Sequence, residues 1–277
     1  MARKQMSTAN RFGIPYMGSK NGIAPWVVQH LPSARHFYDV FAGGCAITHC
    51  ALLVGRWEQF HINDISNSVE LFINDINGQY QNESRWISRE DFFKLKDTDP
   101  YVRLVWSFGN NSNVYVYGKD IEELKHALHD VHFAKTPEER QEAMSRYRRE
   151  FSRIRGREIK EANRLGSLER LQRLQSLESL QTRKDYRELT FEDDAVIYCD
   201  PPYKDTEGYN GEDFDHDAFY AWCLEQTQPL FISEYNMPQG DFICVAERKK
   251  NALMGRAIDT RKKVTEKIYR PRKQVTG

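Results

Sequence analysis

Strand-like and helical stretches alternate at both ends of this chain, and that alternation restricts the fold more than any other feature. "HFYDVFAGG" (36–44) is a short apolar strand running into glycines, and "ITHCALLVGRW" (47–57) follows with helical spacing. "QFHINDIS" (59–66) alternates like a second strand, and "SVELFINDINGQY" (68–80) is an amphipathic helix. A helix over "IAPWVVQHLP" (23–32) precedes them, closed by a Leu-Pro boundary. The pattern returns with a strand in "DDAVIYCDPPY" (193–203), a helix in "DHDAFYAWCLEQ" (215–226), and strands in "PLFISEY" (229–235), "DFICVAER" (241–248) and "TEKIYRPR" (265–272). Such alternation predicts an α/β protein whose mostly parallel sheet is joined by helical crossovers.

The middle of the chain differs. "NVYVYG" (113–118), preceded by "GNNS", predicts a hairpin or a short two-strand element. Beyond it, "PEERQEAMSRYRREFSRIRGREIKEANRL" (137–165) is rich in Arg and helix formers. The organisation expected is an α/β domain from 1–86 and 182–277, with a mainly helical domain, 87–181, inserted into it. Inside the insert, "RLGSLERLQRLQSLESLQ" (164–181) places leucine at 165, 168, 171, 174, 177 and 180. A three-residue step drifts by about 60° around an α-helix, so these leucines circle the axis and make no coiled-coil seam. A helix packed on several sides, a 3₁₀-like or extended segment, and a duplicated spacer all fit that pattern.

No apolar run approaches the roughly 20 residues of a membrane-spanning helix. The start, "MARKQMSTANRFG", lacks the apolar stretch of a secretory signal. The five cysteines show no paired spacing and no zinc pattern with histidine. These features predict a reduced, cytoplasmic chain with no metal and no membrane attachment. Net charge is zero, but Arg140–Lys184 carries +7, Glu247–Lys273 carries +8, and Asp185–Glu225 carries −11. A charge run is usually a solvated face. Two basic segments flanking an acidic one suit a polyanion.

The chain has no GxxxxGK[ST], HExxH or GxSxG. It has acids and glycines at predicted strand ends: Asp39–Gly44, Asp64 and Asp200–Tyr203. Ligands of open α/β sheets bind at that carboxyl edge. Gly43 and Gly44 let the backbone approach a ligand, and equally suit a tight turn. Asp64 suits a ribose diol or a helix N-cap. "AVIYCDPPY" is the most telling stretch, because the prolines stop the strand directly after an acid. The Asp200 carboxylate and the Pro201 carbonyl offer two acceptors, and neither Pro201 nor Pro202 brings a competing N–H donor. That pair suits an exocyclic amino group held through both N–H bonds, and Tyr203 offers a stacking face for a base.

These motifs resemble the Dam-like, D12-class family of DNA adenine-N6 methyltransferases, in its phage and prophage forms. "DPPY" (200–203) matches the catalytic motif, "FYDVFAGGC" (37–45) the glycine-rich motif, and "YMGSK" (16–20) the lysine-bearing N-terminal motif. Asp64 in "INDIS" matches the ribose-binding acid, and Asp185-Tyr186 matches the family's Asp-Phe before DPPY. "WSFGNN" (106–111) with "VYVYG" is similar to the hairpin region of the target-recognition domain. Val40, Cys45 and Ser19 depart from the pattern without removing a catalytic group.

The resemblance implies a Rossmann-like class I methyltransferase sheet with an antiparallel last strand and an inserted, mainly helical target-recognition domain. It implies methyl transfer from S-adenosylmethionine to the N6 of an adenine flipped out of double-stranded DNA. Tyr16 and Lys20 would contact the cofactor, Lys20 near its carboxylate. Asp39, Phe41, Ala42, Gly43 and Gly44 would line the methionine moiety. Asp64 would bind the ribose, Asp185 and Tyr186 the cofactor adenine, and Asp200 the cofactor side of the transfer. Asp200, Pro201, Pro202 and Tyr203 would form the catalytic corner, with 204–210, centred on Gly208, as a lid. Asn110, Asn111, Tyr115, Lys119, Arg146, Arg149 and Arg153 are the expected DNA contacts, joined by Arg148, Arg155 and Arg157 at phosphates. A monomer, at most a weak dimer on DNA, is expected. RNA adenine, cytosine N4 or a protein amide as acceptor, and an inactive DNA-binding relative, are the rival readings.

Overall fold

The computed structural model describes residues 12–14, 16, 18–80, 82–110, 112–153, 179–204, 214–251 and 263–275. The chain divides into two compact units. One comprises Met1–Gly13, Ser19–Val69 and Leu177–Gly277, and the other Ile14–Gly18 and Glu70–Ser176. The described strands are β1 (His36–Asp39), β2 (Gln59–Asn63), β3 (Ser179–Thr182), β4 (Ala195–Cys199), β5 (Leu230–Glu234), β6 (Phe242–Asn251) and β7 (Lys263–Pro271). The described α-helices are α1 (Ala24–His30), α2 (Ala46–Val54), α3 (Ser68–Ile76), α4 (Arg89–Leu95), α5 (Pro100–Val105), α6 (Glu122–Phe133), α7 (Pro137–Arg153) and α8 (His216–Glu225).

In the first unit the strands form one sheet of order β3-β2-β1-β4-β5-β7-β6. β3, β2, β1, β4 and β5 run parallel; β7 lies antiparallel to β5, and β6 antiparallel to β7. This is the mostly parallel, Rossmann-like sheet with antiparallel last strands. β4 and β5 are buried at every position, as central parallel strands covered on both faces must be. Their continuous apolar runs follow from that burial. The order reverses between β1 and β4, so the carboxyl ends of those two strands flank the switch-point crevice.

Local chemistry sets the helix ends. Pro25 opens α1, where its missing N–H has no partner to lose. Cys45 (φ 57°) turns the chain from β1 into α2, and Gly55 (φ 67°) ends that helix. Asp215 caps α8 by accepting from the Ala218 N–H at 2.9 Å.

The second unit is mainly helical. Its core is aromatic, with Phe92, Tyr101, Trp106 and Tyr115 buried. Asp99 caps α5 through the Tyr101 and Val102 amides, and Ser88 caps α4 through the Asp91 amide. The expected two-strand element shrinks to one antiparallel bridge, Ser107 to Tyr115. Asn110 (φ 58°) and Ser112 (φ 67°) fold the chain tightly there, and Trp106 and Tyr115 pack into the helical core.

Of the leucine-triplet stretch, residues 179–181 are described, and they lie in the extended edge strand β3, parallel to β2. Leu165, Leu168, Leu171, Leu174 and Leu177 lie outside the described residues, as do 205–210 of the expected lid, Asn111, Arg155 and Arg157. No described helix is long and apolar enough to cross a membrane.

Candidate active site

The carboxyl edge of the sheet gathers the acids that the strands end in. At the tip of β1, the buried Asp39 accepts a hydrogen bond from Thr48 Oγ1 at 2.6 Å through Oδ2. Its Oδ1 is buried with no hydrogen-bond partner among the described residues. Burial pushes its carboxyl up to about 7, against the pull of the Thr48 hydroxyl. Asp64, just past β2, accepts from the Gly43 N–H at 2.7 Å and the Ser66 N–H at 2.8 Å. It thus ties the glycine turn to the end of the neighbouring strand and keeps the lone pairs that face away from both amides. Phe41 and Gly43 are half-buried, Ala42 and Gly44 buried.

Two residues outside the sequence-derived set shape this loop. Asn63 donates to the Val40 and Lys184 carbonyls at 3.0 and 3.1 Å and accepts from Thr182 Oγ1 and the Lys184 N–H at 2.7 and 3.0 Å. All four bonds span strand tips that would otherwise be tied only by the ladder. Gly13 (φ 69°) seats its backbone against the turn, so a Cβ there would lie 2.1 Å from the Gly44 carbonyl oxygen. Its N–H donates to His49 Nδ1 at 2.8 Å, and burial lowers His49 to about 4, keeping that nitrogen an acceptor.

Asp185 caps the short 3₁₀ turn Tyr186–Glu188, and both its oxygens are held by Arg187 at 2.8 Å. The Arg187 side chain holds its carboxyl below the ordinary value. Tyr186 is buried in an aromatic wall, with ring centres 5.5 Å from Phe41, 5.5 Å from Phe219 and 5.1 Å from Trp222.

At the end of β4 stands the Asp-Pro-Pro-Tyr corner. Lys20 Nζ lies 3.0 Å from Asp200 Oδ1 and 4.4 Å from the centre of the Tyr203 ring. Burial lowers the Lys20 ammonium, but Asp200 and Glu266 outweigh it and its pKa stands raised. Burial raises the Asp200 carboxyl, and Lys20 opposes that rise. Lys20, expected beside the cofactor carboxylate, pairs with Asp200.

Two further acids surround this corner. Glu234 ends β5 and accepts from the Tyr235 and Lys204 amides at 2.6 and 3.1 Å; burial still raises it to about 7. Glu266, on β7, accepts from the Tyr203 hydroxyl at 3.1 Å. Tyr235 packs edge-on to Tyr203 with ring centres 4.5 Å apart. The strand-end rule that singles out Asp200 applies to Glu234 as well. For Glu266 the signal is weaker: strand alternation puts it on the face of the buried Ile268.

Residues 16–236 match the model of the D12 class N6 adenine-specific DNA methyltransferase family. The chain belongs to that family. The match takes in Lys20, the Asp39–Gly44 turn, Asp64 and the Asp200–Tyr203 corner of this DNA adenine methyltransferase. It ends just after β5, before β6 and β7. No curated protein matches the chain. Among the described residues of this enzyme no group of three or more His, Cys, Asp or Glu could hold a metal ion.

Tyr16 is half-buried and sits in Ile14–Gly18, which groups with the second unit. There, Lys119, Arg148, Arg149 and Arg153 are exposed. Arg153 pairs with Glu150 at 2.8 Å, and Arg146 is paired with Asp130. Asn110 donates its side-chain amide to the Leu104 carbonyl at 2.8 Å. Tyr115, expected at the DNA, is only 2% exposed, with its hydroxyl donating to the Ile87 carbonyl. Its ring packs among Phe92, Trp106 and Tyr117.

Proposed function

We propose that this enzyme transfers a methyl group from S-adenosylmethionine to the N6 amino group of an adenine flipped out of double-stranded DNA. The observation that carries the reading is Asp200, a half-buried carboxylate at a proline-closed strand end, ion-paired with Lys20 at 3.0 Å while the same ammonium lies over the Tyr203 ring. A carboxylate held by one cation still has lone pairs to accept an N–H from a ligand. The amino group of adenine supplies one N–H to Asp200 and the other to the Pro201 carbonyl. Both contacts draw density onto the nitrogen and aim its lone pair. Tyr203 stacks the base, and the flip is required because the amino group is otherwise paired and stacked.

The crevice between β1 and β4 fits the cofactor. Asp39 keeps an unpartnered buried oxygen for an ammonium, Asp64 keeps free lone pairs for ribose hydroxyls, and the touching rings of Tyr186 and Phe41 give an apolar surface against which an adenine ring can lie. S-adenosylmethionine supplies an electrophilic methyl group when bound. The chain's own part is positioning, which is worth several orders of magnitude in rate when two reactants are held aligned. Lys20 keeps Asp200 ionised, so the acid accepts the amino group's hydrogen bond and then its departing proton.

The second unit reads the DNA. Lys119, Arg148, Arg149 and Arg153 are its exposed cations for phosphates, and phosphate contacts set register without reading sequence. The test is nucleoside analysis after incubating the enzyme with labelled S-adenosylmethionine and unmethylated plasmid, or with RNA. Label in N6-methyladenine from DNA is the expected result. Label in N4-methylcytosine, in RNA or in protein alone overturns it, as does DNA binding without transfer.

A further inference from the structure

We infer that Glu266 is a positioning residue, whose carboxylate holds the Tyr203 hydroxyl and so fixes the ring on which the target base stacks. This rests on the reading of Tyr203 as the stacking face. Glu266 lies beyond residue 236, where the family match ends, and reaches the site because β7 returns antiparallel beside β5. Glu234 pairs with Lys267, so Glu266 extends one residue past the tip of β5, level with the corner after β4. Its side chain is buried, at 3% exposure, as is Tyr203 at 9%. A carboxylate is kept in such a place only when it is paired. Here Lys20 supplies the charge and Tyr203 the hydrogen bond, at 3.1 Å.

The mechanical consequence follows from where the ring is held. Its Cβ end is fixed by the proline corner and its hydroxyl end by Glu266. Rotation about the axis between them is restrained by Tyr235, packed edge-on at 4.5 Å. The Tyr203 hydroxyl has one proton, and the geometry directs it to Glu266, which therefore sets where the hydroxyl end of the ring points.

The test compares wild type, Glu266→Gln, Glu266→Ala, Tyr203→Phe and the Glu266→Ala/Tyr203→Phe double variant in methyl transfer to unmethylated DNA. Glu266→Ala and Tyr203→Phe each lower kcat by about 10- to 100-fold. KM for S-adenosylmethionine stays within about twofold. Glu266→Gln, which keeps an acceptor oxygen, retains most of the activity. The double variant is no slower than the worse single one, because both remove the same bond. Wild-type kcat in Tyr203→Phe overturns the inference, and that isosteric variant keeps the test open should Glu266→Ala fail to fold. Equal losses in Glu266→Gln and Glu266→Ala, or multiplying effects in the double variant, also overturn it. An inactive wild type fails the methyltransferase reading itself and takes this inference with it.

Discussion

Lys20 Nζ is 3.0 Å from Asp200 Oδ1, and the same ammonium covers the Tyr203 ring at 4.4 Å. One cation therefore touches both ends of the Asp-Pro-Pro-Tyr corner. Asp200, Glu234 and Glu266 converge on it, and Asp200 and Glu266 keep Lys20 protonated despite its burial.

Lys20→Met leaves Asp200 without its counter-ion. Burial then meets less opposition and lifts the carboxyl further, so a larger share is protonated at neutral pH. The expected result is a loss of about 100-fold in kcat at pH 7, partly recovered as pH rises and Asp200 ionises unaided. A pH–rate profile identical in shape to the wild type's contradicts this.

Asp39 makes the fold pH-dependent. Its carboxyl is raised from 3.8 to about 7, with burial the main cause. Between those values the folded state holds a proton that the unfolded chain has released. Stability therefore falls as pH rises through that window and levels off above it. Asp39→Asn keeps an acceptor for Thr48 and removes this contribution. It is expected to be more stable than wild type at pH 8 by on the order of 2 kcal/mol, with little difference at pH 4. Thermal unfolding at the two pH values measures the effect, and equal differences at both contradict it.

Asn63→Ala removes four hydrogen bonds at once. It strands the Val40 and Lys184 carbonyls and the Lys184 amide among the strand tips. A loss of about 2–4 kcal/mol in urea unfolding is expected, with weaker cofactor binding. A loss under about 1 kcal/mol would show that water replaces the side chain.

Gly13→Ala forces a Cβ to within 2.1 Å of the Gly44 oxygen, at a backbone φ of 69°. Such strain costs on the order of 1–3 kcal/mol, and here a backbone carbonyl must also move. The expected outcome is a lowered Tm together with weaker S-adenosylmethionine binding in calorimetry. Unchanged affinity would show that Gly13 does not shape the glycine turn.

Asp39, Asp64 and Asp200 were legible because an apolar strand that ends in an acid delivers it to the sheet's edge. The same rule applied to "PLFISEY" finds Glu234, which belongs to no motif. Glu266 was hidden for a physical reason: its place depends on an antiparallel return and on the register that sets Lys267 against Glu234. Lys20 was legible as a motif residue, but its partner was not, since Asp200 lies 180 residues away in sequence and beside it in space. The regularity of the leucine triplets leaves helix, extended segment and spacer open, and at 179–181 the extended form is found. Thr182, just past that stretch, is held by Asn63, and pairing with β2 makes residues 179–182 a strand. "NVYVYG" has β propensity, yet its tyrosines are drawn into an aromatic core, a tertiary preference that alternation does not encode.

The most direct test of the account is the N6-methyladenine content of DNA from methylation-free host cells expressing wild type or Asp200→Ala. The account predicts N6-methyladenine with the wild type and none with Asp200→Ala, while the variant keeps the wild-type circular dichroism spectrum and binds S-adenosylmethionine. Substantial N6-methyladenine from a folded Asp200→Ala protein, or none from the wild type, would contradict it.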